Sequence, residues 1–297
     1  MTSPAFVEEA FPAPELLLRC RLDSGETSAI YAHSPLERNN VGKRAAMKFV
    51  LFGSSQISAM ALSLAVPAVA ARLTREWPSL ARLVCKGFAA ALLVNWVLWL
   101  AYLHSIGGLN LGNALLMNLC DWATIATLVT LVRPNQYTYE LAYFWALGGT
   151  LQGMLTPDLA YDFPDVQFVY FFIYHGGIIA AVIFLTLALG LRPVPQSILR
   201  VVAWTLAYAA AAGLVDWLLG TNYGMLRTKP PFPTVLDFLA PWPWYIPELV
   251  ALGLLSALVY YAPWFIADAI ARKGLKATNG SGEDGTGLRF REQRKSS

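Results

Sequence analysis

VQFVYFFIYHGGIIAAVIFLTLALGL, residues 166–191, contains no Asp, Glu, Lys or Arg. About 20 apolar residues cross the hydrocarbon core of a bilayer as a helix. The stretch therefore reads as a membrane span that carries one imidazole, His175. Runs of the same kind lie on both sides of it. We read spans at about Lys48–Ala70, Leu83–Leu103, Asn113–Val132, Tyr139–Thr156, Val166–Leu191, Leu199–Leu219 and Tyr245–Phe265. The expected fold is all-α, a polytopic membrane helical bundle of about seven transmembrane helices. Composition agrees: 56% of residues are hydrophobic, 14% are charged and the mean hydropathy is +0.48. A soluble domain carries about 25% charge.

The net charge of +3 is small and the basic residues are dispersed. A nucleic-acid partner would need a basic face, so none is expected. The cysteines are Cys20, Cys85 and Cys120, and the histidines are His33, His104 and His175. They form no CxxC or HExxH spacing, so neither a zinc site nor a disulfide framework is expected. No other cofactor is expected either. The fourth span holds Gly149 and Gly153 at GxxxG spacing, a device that brings helix backbones close together.

Lys and Arg fix the expected orientation. Arg72, Arg75, Arg82, Lys86, Arg133, Arg192 and Arg200 cluster at alternate loops, and more basic residues follow in the C-terminal segment. The opposite loops offer only Arg227 and Lys229. By the positive-inside rule the C-terminus is cytoplasmic and, with seven crossings of the cell membrane, the N-terminus is outside. Residues 1–46 carry Arg19, Arg21, Arg38, Lys43 and Arg44 on that outer side and contain no span. They read as a disordered tail or a misassigned extension, with Met47 as a natural start. Residues 47–267 are the transmembrane domain, and 268–297 are a disordered basic cytoplasmic tail.

The polar residues of the spans gather at one end. Cys120 and His175 start from the outer ends of their helices by similar distances, which at 1.5 Å per residue puts them roughly 10–14 Å deep. Asn113, Cys120, Thr124 and Thr127 share a narrow wedge at 100° per residue, with Asp121 beside it. Asn95, Gln152, Asp216 and Glu248 lie in the outer halves or at the outer ends of their spans. Ionisable groups at such depths face a cavity or one another. Taken singly, each has a plainer role: Cys120 as a small buried apolar residue, His175 as an interhelical hydrogen-bond partner, and the carboxylates as caps. PWPWY (Pro241–Tyr245) reads as an interfacial aromatic belt.

From the third span onward the sequence resembles the YwaF-like family of bacterial integral membrane proteins. NLCDW (Asn118–Trp122), YFWALGGTLQGMLTPDL (Tyr143–Leu159) and YHGG (Tyr174–Gly177) carry the resemblance. LLGTNYG (Leu218–Gly224), KPP (Lys229–Pro231) and LDFLAPWPWYI (Leu236–Ile246) follow in the same order. That family is distantly similar to a eukaryotic multi-pass acyltransferase that forms ether phospholipids through a membrane cysteine and a histidine. The resemblance aligns these with Cys120 and His175. Many YwaF-like proteins have His where Asn118 and Gln56 stand here, which leaves His175, or else His104, as the base.

The resemblance and the shared depth together imply acyl transfer between membrane phospholipids. His175 would deprotonate Cys120 and the thiolate would form a thioester. This requires the two side chains within direct or one-water reach. Asn118, Gln152 and Asn222 are candidate oxyanion donors, with Asp121, Asp216 and Glu248 as further candidate substrate residues. The alternative is a non-enzymatic seven-helix transporter or receptor whose polar chamber opens outward. Protein partners are not readable from the chain. Reporter fusions after Lys276 and within residues 158–165 should mark opposite sides of the membrane. Both on one side would refute the topology.

Overall fold

The computed structural model describes residues 47–229 and 235–292, with side chains for 47–229 and 236–273. Residues 1–46, and with them the expectation for the N-terminal segment, lie outside the described residues. So do Pro230 and Pro231. The described residues hold no β-strand, and most of them are helical. Lys48 and Tyr161 form an isolated antiparallel bridge. The helices are α1 (Ser54–Glu76), α2 (Leu80–Ser105), α3 (Leu111–Ala114), α4 (Leu119–Val132) and α5 (Gln136–Trp145). They continue with α6 (Leu151–Leu155), α7 (Val166–Leu189), α8 (Pro195–Leu219) and α9 (Tyr245–Glu292). The last helix passes beyond residue 267, where the sequence places the end of the membrane domain.

Among the described residues, six stretches are long and apolar enough to cross a membrane: Ser54–Glu76, Leu80–Ser105, Leu111–Val132, Val166–Leu189, Pro195–Leu219 and Tyr245–Lys273. The fourth expected span is not among them. It is built from α5, a π-helical turn at Ala146–Thr150, and α6. Such π turns often sit at functional sites. The third expected span is also interrupted, because the chain is non-helical between Ala114 and Leu119. There Asn118 and Asp121 form a capping box that starts α4 afresh. Asn and Asp side chains compete with the helix for backbone hydrogen bonds, which is why the break falls at this point.

Helix α7 is the centre of the bundle. Over half of its most apolar window, 56%, is buried, against at most 33% in any other span. Asp165 caps its start by accepting from the Gln167 N–H at 2.8 Å, and Gly190 ends it at φ 67°. Around it stand α1, α2, α4 and the α5–α6 helix, with the longest interface to α1. Two glycines set that packing. A Cβ on Gly176 would collide with Ser63 of α1, and one on Gly177 would stand 3.0 Å from Leu92 of α2. The outward faces of α1, α8 and α9 carry exposed Leu, Val, Ile and Trp side chains, as lipid contact requires.

A feature that the sequence reading passed over lies at the opposite end from the polar cluster. Glu140 of α5 is 1% exposed and is held by Arg200 of α8, Nη2 to Oε1 at 2.9 Å and Nε to Oε2 at 2.8 Å. Gln136 donates to the same carboxylate at 2.8 Å, and Arg200 also lies over the Tyr137 ring. Removing one partner of a buried ion pair costs about 3–5 kcal/mol, so this pair locks α8 to α5.

The glycine contacts generate a paired prediction. Gly176→Ala should lower thermal stability in detergent, since Ser63 or the α1 backbone must move. Gly148→Ala, whose Cβ meets nothing within 4 Å, should be neutral or stabilising by up to about 1 kcal/mol through helix propensity. Equal melting temperatures for the two variants would refute this account of the packing.

Candidate functional site

The capping box puts Cys120 in the first turn of α4, one residue before Asp121. Its backbone N–H lies in the first turn, where there is no helical carbonyl to reach. The thiol faces the Thr150 hydroxyl at the end of the π turn. Thr124, one turn further along α4, donates to the Cys120 carbonyl at 2.8 Å. The positive end of the α4 dipole favours negative charge on groups in this turn. Cys120 is half-buried and Cys85 is buried, and both are free thiols.

The Asp121 carboxylate is engaged on both oxygens. Oδ1 accepts from the Tyr174 hydroxyl of α7 at 2.6 Å, and Oδ2 accepts from the Asn118 N–H at 2.9 Å. This joins the start of α4 to the middle of α7. Tyr174 stacks on Tyr170, and Tyr170 stacks on Trp99 of α2 with centroids 4.1 Å apart. Asn95 of α2 donates to the Tyr170 carbonyl at 3.4 Å. Asp121 is thus the anchor of the Cys120 turn.

His175 follows Tyr174 and points to a different neighbour. Its Nδ1 lies 3.0 Å from the Phe171 carbonyl, and its ring stacks on Phe171 with centroids 4.0 Å apart. A carbonyl only accepts, so in the neutral ring Nδ1 carries the proton and Nε2 holds the lone pair. The Nε2 edge faces Gly153 of α6, where a Cβ would stand 3.6 Å away. Gly149 lies just as close to Leu119, next to Cys120, at 3.1 Å from a built Cβ to Cδ2. The GxxxG pair of the α5–α6 helix therefore receives the Cys120 turn at one glycine and the His175 ring at the other. Among the described residues no direct hydrogen bond joins the two side chains.

The remaining candidates hold other positions. Gln152 is exposed and reaches the Tyr260 hydroxyl of α9 at 3.5 Å. Asp216 is fully buried and folds the loop after α8, accepting from the Thr221 hydroxyl at 2.8 Å and the Tyr223 N–H at 2.7 Å. Asn222 ties the same loop, donating to Thr228 and accepting from the N–H groups of Arg227 and Thr228. Glu248 accepts from the Ala240 N–H at 2.8 Å. Burial, and then the Asp121 carboxylate, pushes the Tyr223 phenol above its ordinary value. Its hydroxyl keeps its proton and donates to the Leu111 carbonyl. In the PWPWY run Trp242 and Trp244 are exposed, whereas Tyr245 is buried.

Three residues that the sequence reading left without a role belong to this end of the bundle. Gln56 of α1 is 1% exposed and donates to the carbonyls of Met154 and Leu155 at 2.9 and 3.2 Å, capping α6. Thr150 and Tyr208 flank the Cys120 turn. A lone hydroxyl inside an apolar run has no periodic signature, so no sequence signal marks the latter two. Among the described residues no group of three or more His, Cys, Asp or Glu side chains could hold a metal ion.

Fold and site together define a multi-pass membrane protein with a polar cluster, around a half-buried thiol, at one end of its bundle. The family model described as TMEM164 family matches residues 51–261, and the chain belongs to that family. No curated protein and no solved structure matches it.

Asp121→Ala should destabilise the protein by about 1–3 kcal/mol, because it removes the cap of α4 and leaves the buried Tyr174 hydroxyl without its acceptor. Denaturant titration in micelles measures this. An unchanged midpoint would show that Asp121 does not hold the Cys120 turn.

Proposed function

We propose that this protein is a lipid acyltransferase that works through Cys120 and His175 with a thioester intermediate. The observation that carries the reading is the common seat of both residues on the α5–α6 helix, at the Gly149–Thr150 step and at Gly153. The tautomer that Phe171 favours supports it too, because Nε2 is then the acceptor a general base needs. The resemblance to YwaF-like proteins points the same way.

In this reading the Cys120 thiol gives its proton to Nε2 of His175 through one water or after a side-chain rotation. The sulfur attacks an ester carbonyl of a phospholipid and a C–S bond forms. The bond to the glycerol oxygen breaks, and that oxygen leaves with the proton from His175. A lysolipid hydroxyl then gives its proton to His175 and attacks the thioester, which restores the thiol; water in its place makes the protein a hydrolase. Arg227 lines a cleft of about 480 Å³ with Thr221, Thr228 and Trp242, a chemistry suited to a phosphate headgroup. The cleft faces the exterior of the cell, with the C-terminus in the cytoplasm.

The test is acyl exchange between defined phospholipids in vesicles, followed by mass spectrometry. Cys120→Ala should abolish both the acyl-enzyme and turnover. His175→Ala should slow turnover about 10²–10⁴-fold, the usual worth of general-base assistance. Cys85→Ala should match the wild type. Undiminished exchange in Cys120→Ala would overturn the mechanism.

A further inference from the structure

We infer that the Tyr208 hydroxyl and the Cys120 N–H form an oxyanion site at the start of α4, one that binds the developing negative charge of an acyl ester. The inference rests on the acyl-transfer reading above and adds a catalytic residue to it. Tyr208 projects from α8 and is 4% exposed. Its ring meets Trp122 of α4 edge-on, with centroids 5.5 Å apart. Gly224, at φ 60°, packs its backbone on the hydroxyl, where a Cβ would stand 2.6 Å from the oxygen. The phenol is therefore held in place from two sides, beside Leu119 and Trp122 in the first turn of α4.

Among the described residues that hydroxyl has no full hydrogen bond, although the Leu119 N–H is directed at its oxygen. Its own proton is therefore free to be donated. Thr150, fully buried and facing the thiol, is likewise without a full hydrogen bond among the described residues. Buried hydroxyls are ordinarily paired, and here Thr150 faces the thiol while the Tyr208 hydroxyl lies beside the first turn of α4. The nearby negative group, Asp121, is held by Tyr174 and the Asn118 N–H.

The chemistry fits this arrangement. As sulfur adds to the ester carbonyl, the thiol proton moves to His175, the C–S bond forms and the carbonyl π pair moves onto oxygen. That oxygen then accepts from the Tyr208 O–H and the Cys120 N–H, neither of which has a better acceptor beforehand. Donors positioned where charge develops accelerate the step because they act in the transition state and not in the resting site. When the pair returns to carbon, the C–O bond to glycerol breaks, the departing oxygen takes the proton from His175, and the thioester remains.

The experiment compares two reactions of the same thiol in the full-length protein, reconstituted in phosphatidylcholine vesicles. One is formation of acyl-Cys120 from the vesicle lipid, followed by mass spectrometry. The other is alkylation of Cys120 by iodoacetamide, which displaces iodide and forms no oxyanion. Tyr208→Phe keeps the ring and removes the hydroxyl. Acylation should fall about 10²–10³-fold, the usual cost of losing one oxyanion donor, with alkylation unchanged within about twofold. Both reactions are read on the folded fraction isolated by size exclusion, because unfolded protein would be alkylated but not acylated. Tyr208→Leu is read by the same ratio if the Phe variant does not fold. Unchanged acylation, or an equal fall in both reactions, would overturn the oxyanion role while leaving the thioester mechanism in place. A wild-type Cys120 that is alkylated but never acylated would overturn the acyl-transfer reading and this inference with it.

Discussion

Inside a bilayer no hydrophobic force drives helices together, so close van der Waals contact must do that work. Four glycines make the contact possible here. Gly176 and Gly177 let α1 and α2 approach the central helix, while Gly149 and Gly153 let the α5–α6 helix receive Leu119 and the His175 ring. Without these positions the helices that carry the thiol and the imidazole could not share a neighbour. The π turn belongs to the same arrangement, because it sets Thr150 against Cys120.

The second determinant is the interruption before α4. A continuous third helix would bury the Cys120 N–H in ordinary helical bonding. Breaking it at Asn118 moves the cysteine into a first turn, where its N–H has no helical carbonyl to reach and the dipole favours negative charge. Asp121 holds that turn through Tyr174, so the end of one helix is tied to the middle of another. The loop from Leu218 to Lys229 closes over this end. It is knotted internally by Asp216 and Asn222 and fastened to α3 through Tyr223.

Six of the seven expected spans were legible because uncharged runs of this length have one stable solution in lipid, a helix that satisfies its own backbone. That both Cys120 and His175 neighbour the Gly149–Gly153 segment was not legible, because it depends on which helices pack together. The break at Asn118 was not read, although Asn and Asp three residues apart are its signature, because the surrounding run is apolar enough to suggest one helix. Tyr208 and Thr150 were invisible for another reason: their meaning lies wholly in what stands opposite them. Asp216, Asn222 and Glu248 were recognised as polar groups at one end, but sequence does not distinguish a loop fastening from a substrate contact.

The Glu140–Arg200 pair constrains how the molecule is put together during synthesis. Glu140 is translated long before its partner, 60 positions away, and an unpaired carboxylate in a membrane helix costs several kcal/mol. Its helix is not among the six stretches apolar and long enough to cross on their own. The charge of that helix is therefore neutralised only once α8 is in place beside it. The α5–α6 helix that neighbours both the Cys120 turn and His175 thus depends on α8 for its charge balance.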